Sequence, residues 1–184
     1  RMKLLAFDTS NQALSLAILE DEHLLAQTTL NIKKNHSITL MPAIDFLMNS
    51  LDMKPKDLDR IVVAQGPGSY TGLRIAVATA KTLAHTLKIE LVGVSSLLAL
   101  VPEQVEGLVI PIMDARRNNV YAGFYQSGQA VRPEAHLPLA EVLEMAGTAD
   151  QPVTFVGETA TFAEQIKDAL PQAAIQSTLP DAAT

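Results

Sequence analysis

The chain has 184 residues, 48% of them hydrophobic, and a formal net charge of −6 from 14 Lys and Arg against 20 Asp and Glu. That length holds one large domain or two lobes of about 100 residues each. The acidic surplus argues against a surface that holds RNA strongly by itself, because basic side chains drive such binding by releasing counterions. The absence of cysteine excludes disulfides, thiolate chemistry and cysteine metal sites. No apolar run reaches the ~18–20 residues needed to span a bilayer. No cationic segment followed by an apolar run opens the chain, so no membrane association and a cytoplasmic location are expected.

In chain order, Lys3–Asp8 reads as a buried strand that ends in the polar turn Asp8-Thr9-Ser10-Asn11. Leu14, Leu16 and Ile18 alternate with Ser15 and Ala17, the period of a strand with one buried face. His23–Leu30 supplies a third strand, and the short connections predict an antiparallel meander. A helix is predicted from Thr39 to Asp52, where a first-turn Pro42 costs no internal hydrogen bond. Leu40, Met41, Ile44, Leu47, Met48 and Leu51 form one helical stripe, and Ala43, Phe46 and Met53 a second. Two apolar faces imply either burial against another helix, another chain or both, or a helix wholly internal to this fold.

The central stretch is Ile61–Leu87: a β-branched strand, a glycine-bearing turn and a long helix. Gly66, Gly68 and Gly72 permit backbone angles that a Cβ forbids, and Thr71 stands where it could cap a helix starting near Gly72. The free amides of that turn, with Ser69 and Arg74 beside them, offer either an anion contact or a plain strand-to-helix turn. A dinucleotide fingerprint would need glycine at position 71, which is Thr71, and a phosphate-binding Walker loop would need lysine where Leu73 stands. On the helix, Leu73, Ala76, Val77, Ala80, Leu83, Ala84 and Leu87 form the apolar side. The small residues Ala76, Ala80 and Ala84 would let a second helix approach closely, so the two helices could give half of a four-helix bundle.

Glu90–Ser95 is another strand, which makes the order β-β-β-α-β-α-β and suggests one lobe of the actin, sugar kinase and Hsp70 type. Val101–Gly107 is the expected lobe boundary. Beyond it, Leu108–Met113 is a buried strand ending at Asp114, Arg116–Asn119 a turn, and Val120–Gln126 a strand. Leu139–Ala146 then reads as a helix, Val153–Val156 as a strand, Thr161–Leu170 as a helix and Ala174–Thr178 as a last strand. Strand openings at Asp8 and Asp114 hint at an internal duplication whose second lobe is expected to be cut short. In kinases of this fold such acids meet metal and phosphates, but the turn after Asp8 lacks glycine, which favours a turn-capping or ion-paired acid. Asp114 beside Arg116 and Arg117 is either a solvated turn or an anion or partner contact. The histidines, His23, His36, His85 and His136, show no ligand spacing, and Ser69, Ser95 and Ser96 show no hydrolase triad.

FDTS at 7–10, HSITLMP at 36–42, GPGSYTGLRIA at 66–76, AKTLA at 80–84, VSSL at 94–97 and DARRNNVY at 114–121 resemble the TsaB family, also called YeaZ. The resemblance covers the first lobe and the opening of the second, and family members usually run further. It implies a two-lobed α/β fold of the actin-like ATPase (RNase H-like) superfamily, lobes at 1–100 and 101–184, the second truncated. It also implies a non-catalytic paralogue of TsaD, the subunit that transfers a threonylcarbamoyl group to an adenosine beside the tRNA anticodon. TsaD carries V-N-H-x-x-G-H, whose histidines bind metal; VSSLLAL at 94–100 puts Ser96 and Leu100 there, and leucine cannot coordinate a metal ion.

The partners implied are TsaD, the small ATPase TsaE and a second copy of the chain, with tRNA reached only through the complex. No cofactor of its own is expected, although nucleotide at the complex junction stays open. The interface expected on this basis draws on Leu40, Met41, Ile44, Leu47, Leu73, Ala76, Ala80 and Leu83. Two other readings predict different chemistry. A small kinase would use Asp8, Asp114 and the glycine turn, and a metallopeptidase would need the metal that Ser96 and Leu100 argue against.

Overall fold

A computed structural model describes residues 1–10, 13–31, 40–68 and 71–177, which fall in two compact units, residues 1–99 and 100–177. The boundary lies inside a 3-10 turn, Leu98–Leu100, just before the Val101–Gly107 stretch where the sequence places it.

In the first unit, strands β1 (Lys3–Thr9), β2 (Ala13–Glu20) and β3 (His23–Asn31) form an antiparallel meander. Helix α1 (Leu40–Asn49), strand β4 (Arg60–Ala64), helix α2 (Thr71–Leu87) and strand β5 (Glu90–Val94) follow. The sheet order is β3-β2-β1-β4-β5, with β4 parallel to both β1 and β5. An Arg60–Glu90 ion pair joins the first residues of β4 and β5, which stand opposite each other in register. Alternation sends Leu5, Phe7, Leu14, Leu16, Ile18, Ile61 and Val63 into one core beneath both helices. Each of these large side chains contributes ~1.5–3 kcal/mol by leaving water.

The helices spend their apolar stripes on this core. On α1, Leu40, Ile44, Leu47 and Met48 are buried, and on α2, Gly72, Leu73, Ala76, Ala80 and Ala84 are. The alanine row therefore lets α2 lie close on the sheet, where large residues of β1 and β4 already fill the space; it is not a seat for a partner helix. Of the second expected stripe, Met53 lies beyond the helix and is buried, Ala43 packs against the core, and Phe46 alone stands well out.

The second unit repeats the first in order: β6 (Leu108–Asp114), β7 (Asn119–Gln126), β8 (Gln129–Pro138), α3 (Leu139–Gly147), β9 (Val153–Gly157), α4 (Ala163–Ala169) and β10 (Ala174–Ser177). Its sheet, β8-β7-β6-β9-β10, has the same strand order, with β6 and β9 parallel as β1 and β4 are. The duplication extends through all seven elements, including β8, a strand that the sequence pattern does not announce. Strand β8 lies at the sheet edge, mostly exposed and interrupted by Pro133, so it shows little apolar alternation; an edge tolerates the missing amide. The core joins Ile110, Ile112, Val120, Phe124 and Phe155 to Leu139, Val142 and Ile166 of the helices.

Ala80→Leu will force extra methylenes between α2 and the sheet at a site with no exposed surface. The expected cost is about 1–3 kcal/mol, read as a lower urea midpoint with an unchanged slope.

Candidate functional site

In α/β sheets, chemistry gathers beyond the carboxyl ends of parallel strands. In the first unit these are the ends of β1, β4 and β5, where Asp8, the glycine turn and Ser95–Ser96 lie. Gly66 and Gly68 have φ of +116° and +149°, a region closed to most side chains, and the Gly66–Pro67 bond is cis. Ser96 braces this turn from both sides. Its Oγ accepts the Gly66 N–H at 3.0 Å, and its own N–H donates to the Gly66 carbonyl at 2.8 Å. Ser95 Oγ accepts the Leu97 and Leu98 amides at 3.1 and 3.2 Å, capping the turn that follows.

The Gly66 amide is thus engaged by Ser96, and the Gln65 amide by the Val94 carbonyl at 3.0 Å, which withdraws both from an anion. Thr71 opens helix α2 rather than capping it, Gly72 is buried in the first turn, and Arg74 is exposed there; Ser69 lies outside the described residues. Asp8 is 3% exposed, and its Oδ1 accepts the Thr9 amide at 2.9 Å. Ser10 closes the β1–β2 turn, donating its N–H to the Ala13 carbonyl at 2.8 Å and accepting the Ala13 amide on Oγ at 3.0 Å.

The equivalent end of β6 is built differently. Asp114 is exposed; its N–H donates to Glu158 Oε1 at 2.8 Å, and its Oδ1 accepts the Arg116 amide at 2.8 Å. Glu158 reaches that position because Gly157 ends β9 at φ +96°, where a Cβ would stand 2.6 Å from the Ile112 carbonyl oxygen. Burial pushes the Glu158 carboxyl above its ordinary pKa, the Asp114 amide opposes that, and the Asp114 charge adds to it. Glu158 is not marked by the pattern that singles out Asp8 and Asp114, because it follows a later strand of its unit rather than ending the first. The V-G-E run closing β9 is the signal that could have found it.

The side chains expected at a partner surface divide by burial. Leu40, Ile44, Leu47, Ala76 and Ala80 are buried in the first unit's own core and Leu73 is buried beside Gly66, so within this fold these six are not docking residues; Leu83 is half-buried against the core. Met41 is 44% exposed and Phe46 74%. On α2 the outward positions are Thr71, Arg74, Ala78, Lys81, Thr82, His85 and Thr86. The helices cover the same sheet face, α1 against β2 and β3 and α2 mainly against β1 and β4, so their outer sides lie next to each other.

His23 and His85 are exposed, His136 stacks on Tyr121, and His36 lies outside the described residues. Among the described residues no group of three or more His, Cys, Asp or Glu side chains could hold a metal ion. Leu100, at the second metal-histidine position of the resemblance, is buried against Gly157.

Two units of one β-β-β-α-β-α-β order, each with a mixed five-stranded sheet and an acid near the end of its first strand, define the actin-like ATPase class of α/β proteins. A family profile described as "TsaD: tRNA N6-adenosine threonylcarbamoyltransferase" matches residues 23–183. The tRNA threonylcarbamoyladenosine biosynthesis protein TsaB of Bacillus subtilis is 47% identical over 176 residues, 92% of this chain and 77% of that protein. The Escherichia coli TsaB is 29% identical over 129 residues, 68% of this chain and 55% of that protein. YeaZ from Pseudomonas aeruginosa superimposes with a TM-score of 0.81 at 30% identity, covering 100% of this chain and 88% of that one. A hexokinase of the ROK group from Thermus thermophilus, at 11% identity and TM-score 0.54, shares the fold alone. The chain belongs to the TsaB (YeaZ) family.

Two outcomes follow from the geometry. Ser96→Ala leaves the buried Gly66 amide without its side-chain acceptor, an expected loss of about 1–3 kcal/mol in urea unfolding. Glu158→Gln keeps an oxygen for the Asp114 amide and removes the charge that the fold disfavours. Because the folded pKa is raised, stability present below the ordinary carboxylate pKa is lost as pH rises through the folded value. Thermal midpoints measured against pH will therefore show the variant above the parent at neutral pH, with the gap closing in acid.

Proposed function

We propose that this chain acts in tRNA threonylcarbamoyladenosine biosynthesis as a non-catalytic subunit that binds a TsaD-type enzyme through the outer sides of α1 and α2. The observation that carries this reading is Phe46, an aromatic side chain 74% exposed on a helix that also exposes Met41 and whose other side is spent on the core. Large exposed aromatic and Met side chains are the residues that anchor protein interfaces. The pathway comes from the names of the relatives, which include the Bacillus and Escherichia coli TsaB proteins. A supporting role fits the residues at the strand ends: Ser96 is used to hold the glycine turn, and Leu100 has no donor for a metal.

A second copy of the chain would pair through the same patch about a two-fold axis and would compete with the enzyme subunit. TsaE, the small ATPase of the system, completes the assembly in this reading, and any nucleotide sits at the junction with the partner rather than on this chain alone.

Phe46→Asp will weaken binding to a TsaD-type partner by roughly 30-fold or more, the scale of an aromatic anchor. Its unfolding midpoint will stay near that of the parent, since the side chain is already in water. Light scattering and titration calorimetry of the purified chain with that partner read both the stoichiometry and the affinity. Parent-like affinity in the variant would sink this interface. ATP turnover by the isolated chain, lost in Asp8→Asn, would sink the non-catalytic reading.

A further inference from the structure

The turn between β6 and β7 is more strained and better braced than a surface connection requires. Arg116, Arg117 and Asn118 have φ of +69°, +55° and +61°, three successive non-glycine residues in the left-handed region. The Asn119 amide donates to the Arg116 carbonyl at 3.0 Å, which makes Arg117 and Asn118 the central pair of a hairpin turn whose usual residues are Asn and Gly. The conformation is held from three directions. The Ala115 amide donates to the Asn119 carbonyl at 3.0 Å, and the Leu139 amide to the Asn118 carbonyl at 2.9 Å. The Asn118 and Gln165 side-chain amides exchange two hydrogen bonds, at 2.9 and 3.0 Å, and so tie the turn to α4.

What this frame presents is two exposed guanidinium groups. Neither Arg116 nor Arg117 joins an ion pair among the described residues. The acids at the base of the turn have other bonds: Asp114 Oδ1 accepts the Arg116 amide, and Glu158 Oε1 accepts the Asp114 amide. An independent feature stands two residues along β7, about 7 Å from the turn at the rise of a strand. There Tyr121 and His136, cross-strand partners on β7 and β8, stack with centroids 4.9 Å apart and planes at 28°, His136 exposed and Tyr121 half-buried.

We propose that this hairpin end is an RNA contact, with Arg116 and Arg117 on backbone phosphates and the Tyr121–His136 ring pair as a stacking surface for an unpaired base. Guanidinium on phosphate gives register without sequence, and aromatic stacking recognises single-stranded bases generally. Acidic protein would satisfy the arginines but would leave the ring pair without a use, which favours RNA over an acidic peptide. The choice of RNA rests on the pathway proposed above. An overall charge of −6 keeps the contact weak when the chain is alone, so it adds to a complex rather than anchoring one.

The test uses the full chain, alone and mixed with its TsaD-type partner, and a fluorescein-labelled anticodon stem-loop RNA read by anisotropy over a salt series. Arg116→Gln with Arg117→Gln will lower the log–log salt slope by about 1.4, two phosphates' worth on a single strand. Tyr121→Ala will weaken binding by roughly tenfold without changing the slope, and Tyr121→Phe will restore it. Arg117→Gly separates function from folding: it relieves the backbone, so the thermal midpoint will rise while RNA affinity falls. Arg132→Gln, on the exposed edge strand, will change neither.

No RNA binding by the parent in either form at roughly 100 µM chain overturns the proposal. So does an unchanged slope in the double variant. Loss of partner affinity in that variant with RNA binding intact assigns the turn to a protein contact, which also overturns it. A parent chain that binds RNA but no TsaD-type partner would instead remove the pathway reading and leave the contact standing.

Discussion

Each unit must cover one face of a five-stranded sheet with only two helices, and that demand determines what is left for function. In the first unit, α1 and α2 have to bury Leu5, Phe7, Leu14, Leu16 and Ile18 from the meander together with Ile61 and Val63 from β4. Their apolar stripes are consumed in doing so, and the small alanines of α2 let it lie close over the larger strand residues. An apolar residue on these helices is then informative only where the core does not need it. Phe46 meets that condition, Met41 meets it less fully, and Ile44 and Ala80 do not meet it at all.

Much of this architecture was legible because strands and helices repeat with different periods. The alternation in Leu14–Ile18, the β-branched start at Ile61 and the spacing of Leu73 to Leu87 each specify an element type without tertiary context. Period alone does not say which of two stripes faces the sheet. Leu40, Ile44 and Leu47 could have served a partner equally well on pattern; the number of strands to be covered excludes it. Strand β8 was illegible for the opposite reason, since an exposed edge strand with a proline carries no apolar period to read.

The polar site was harder still, because its contacts join residues far apart in sequence. Ser96 and Gly66 are 30 positions apart, and Glu158 and Asp114 are 44 apart. From sequence Ser96 reads as a residue that fails to be a metal ligand. In three dimensions it is a brace with both its hydroxyl and its amide in use, and this explains why a turn rich in glycine has fewer open amides than its composition suggests. Losing a ligand and gaining a structural bond are separate facts about one side chain, and only the first is visible without coordinates.

The duplication sharpens this point. Asp8 and Asp114 occupy matching places near the ends of β1 and β6, and the two sheets share one strand order. Asp8 is buried over the amide that follows it, in a turn closed by Ser10. Asp114 is exposed and linked through its amide to a second acid, below a turn carrying two arginines. The backbone plan is one; the charge arrangement is not, because side chains near the strand end set the field. Relatedness of fold to kinases, at 11% identity, therefore carries no chemistry across by itself. What the two strand ends can do follows from Ser96 on one and from Glu158, Arg116 and Arg117 on the other, and these differ enough that one unit closes its strand end while the other presents it.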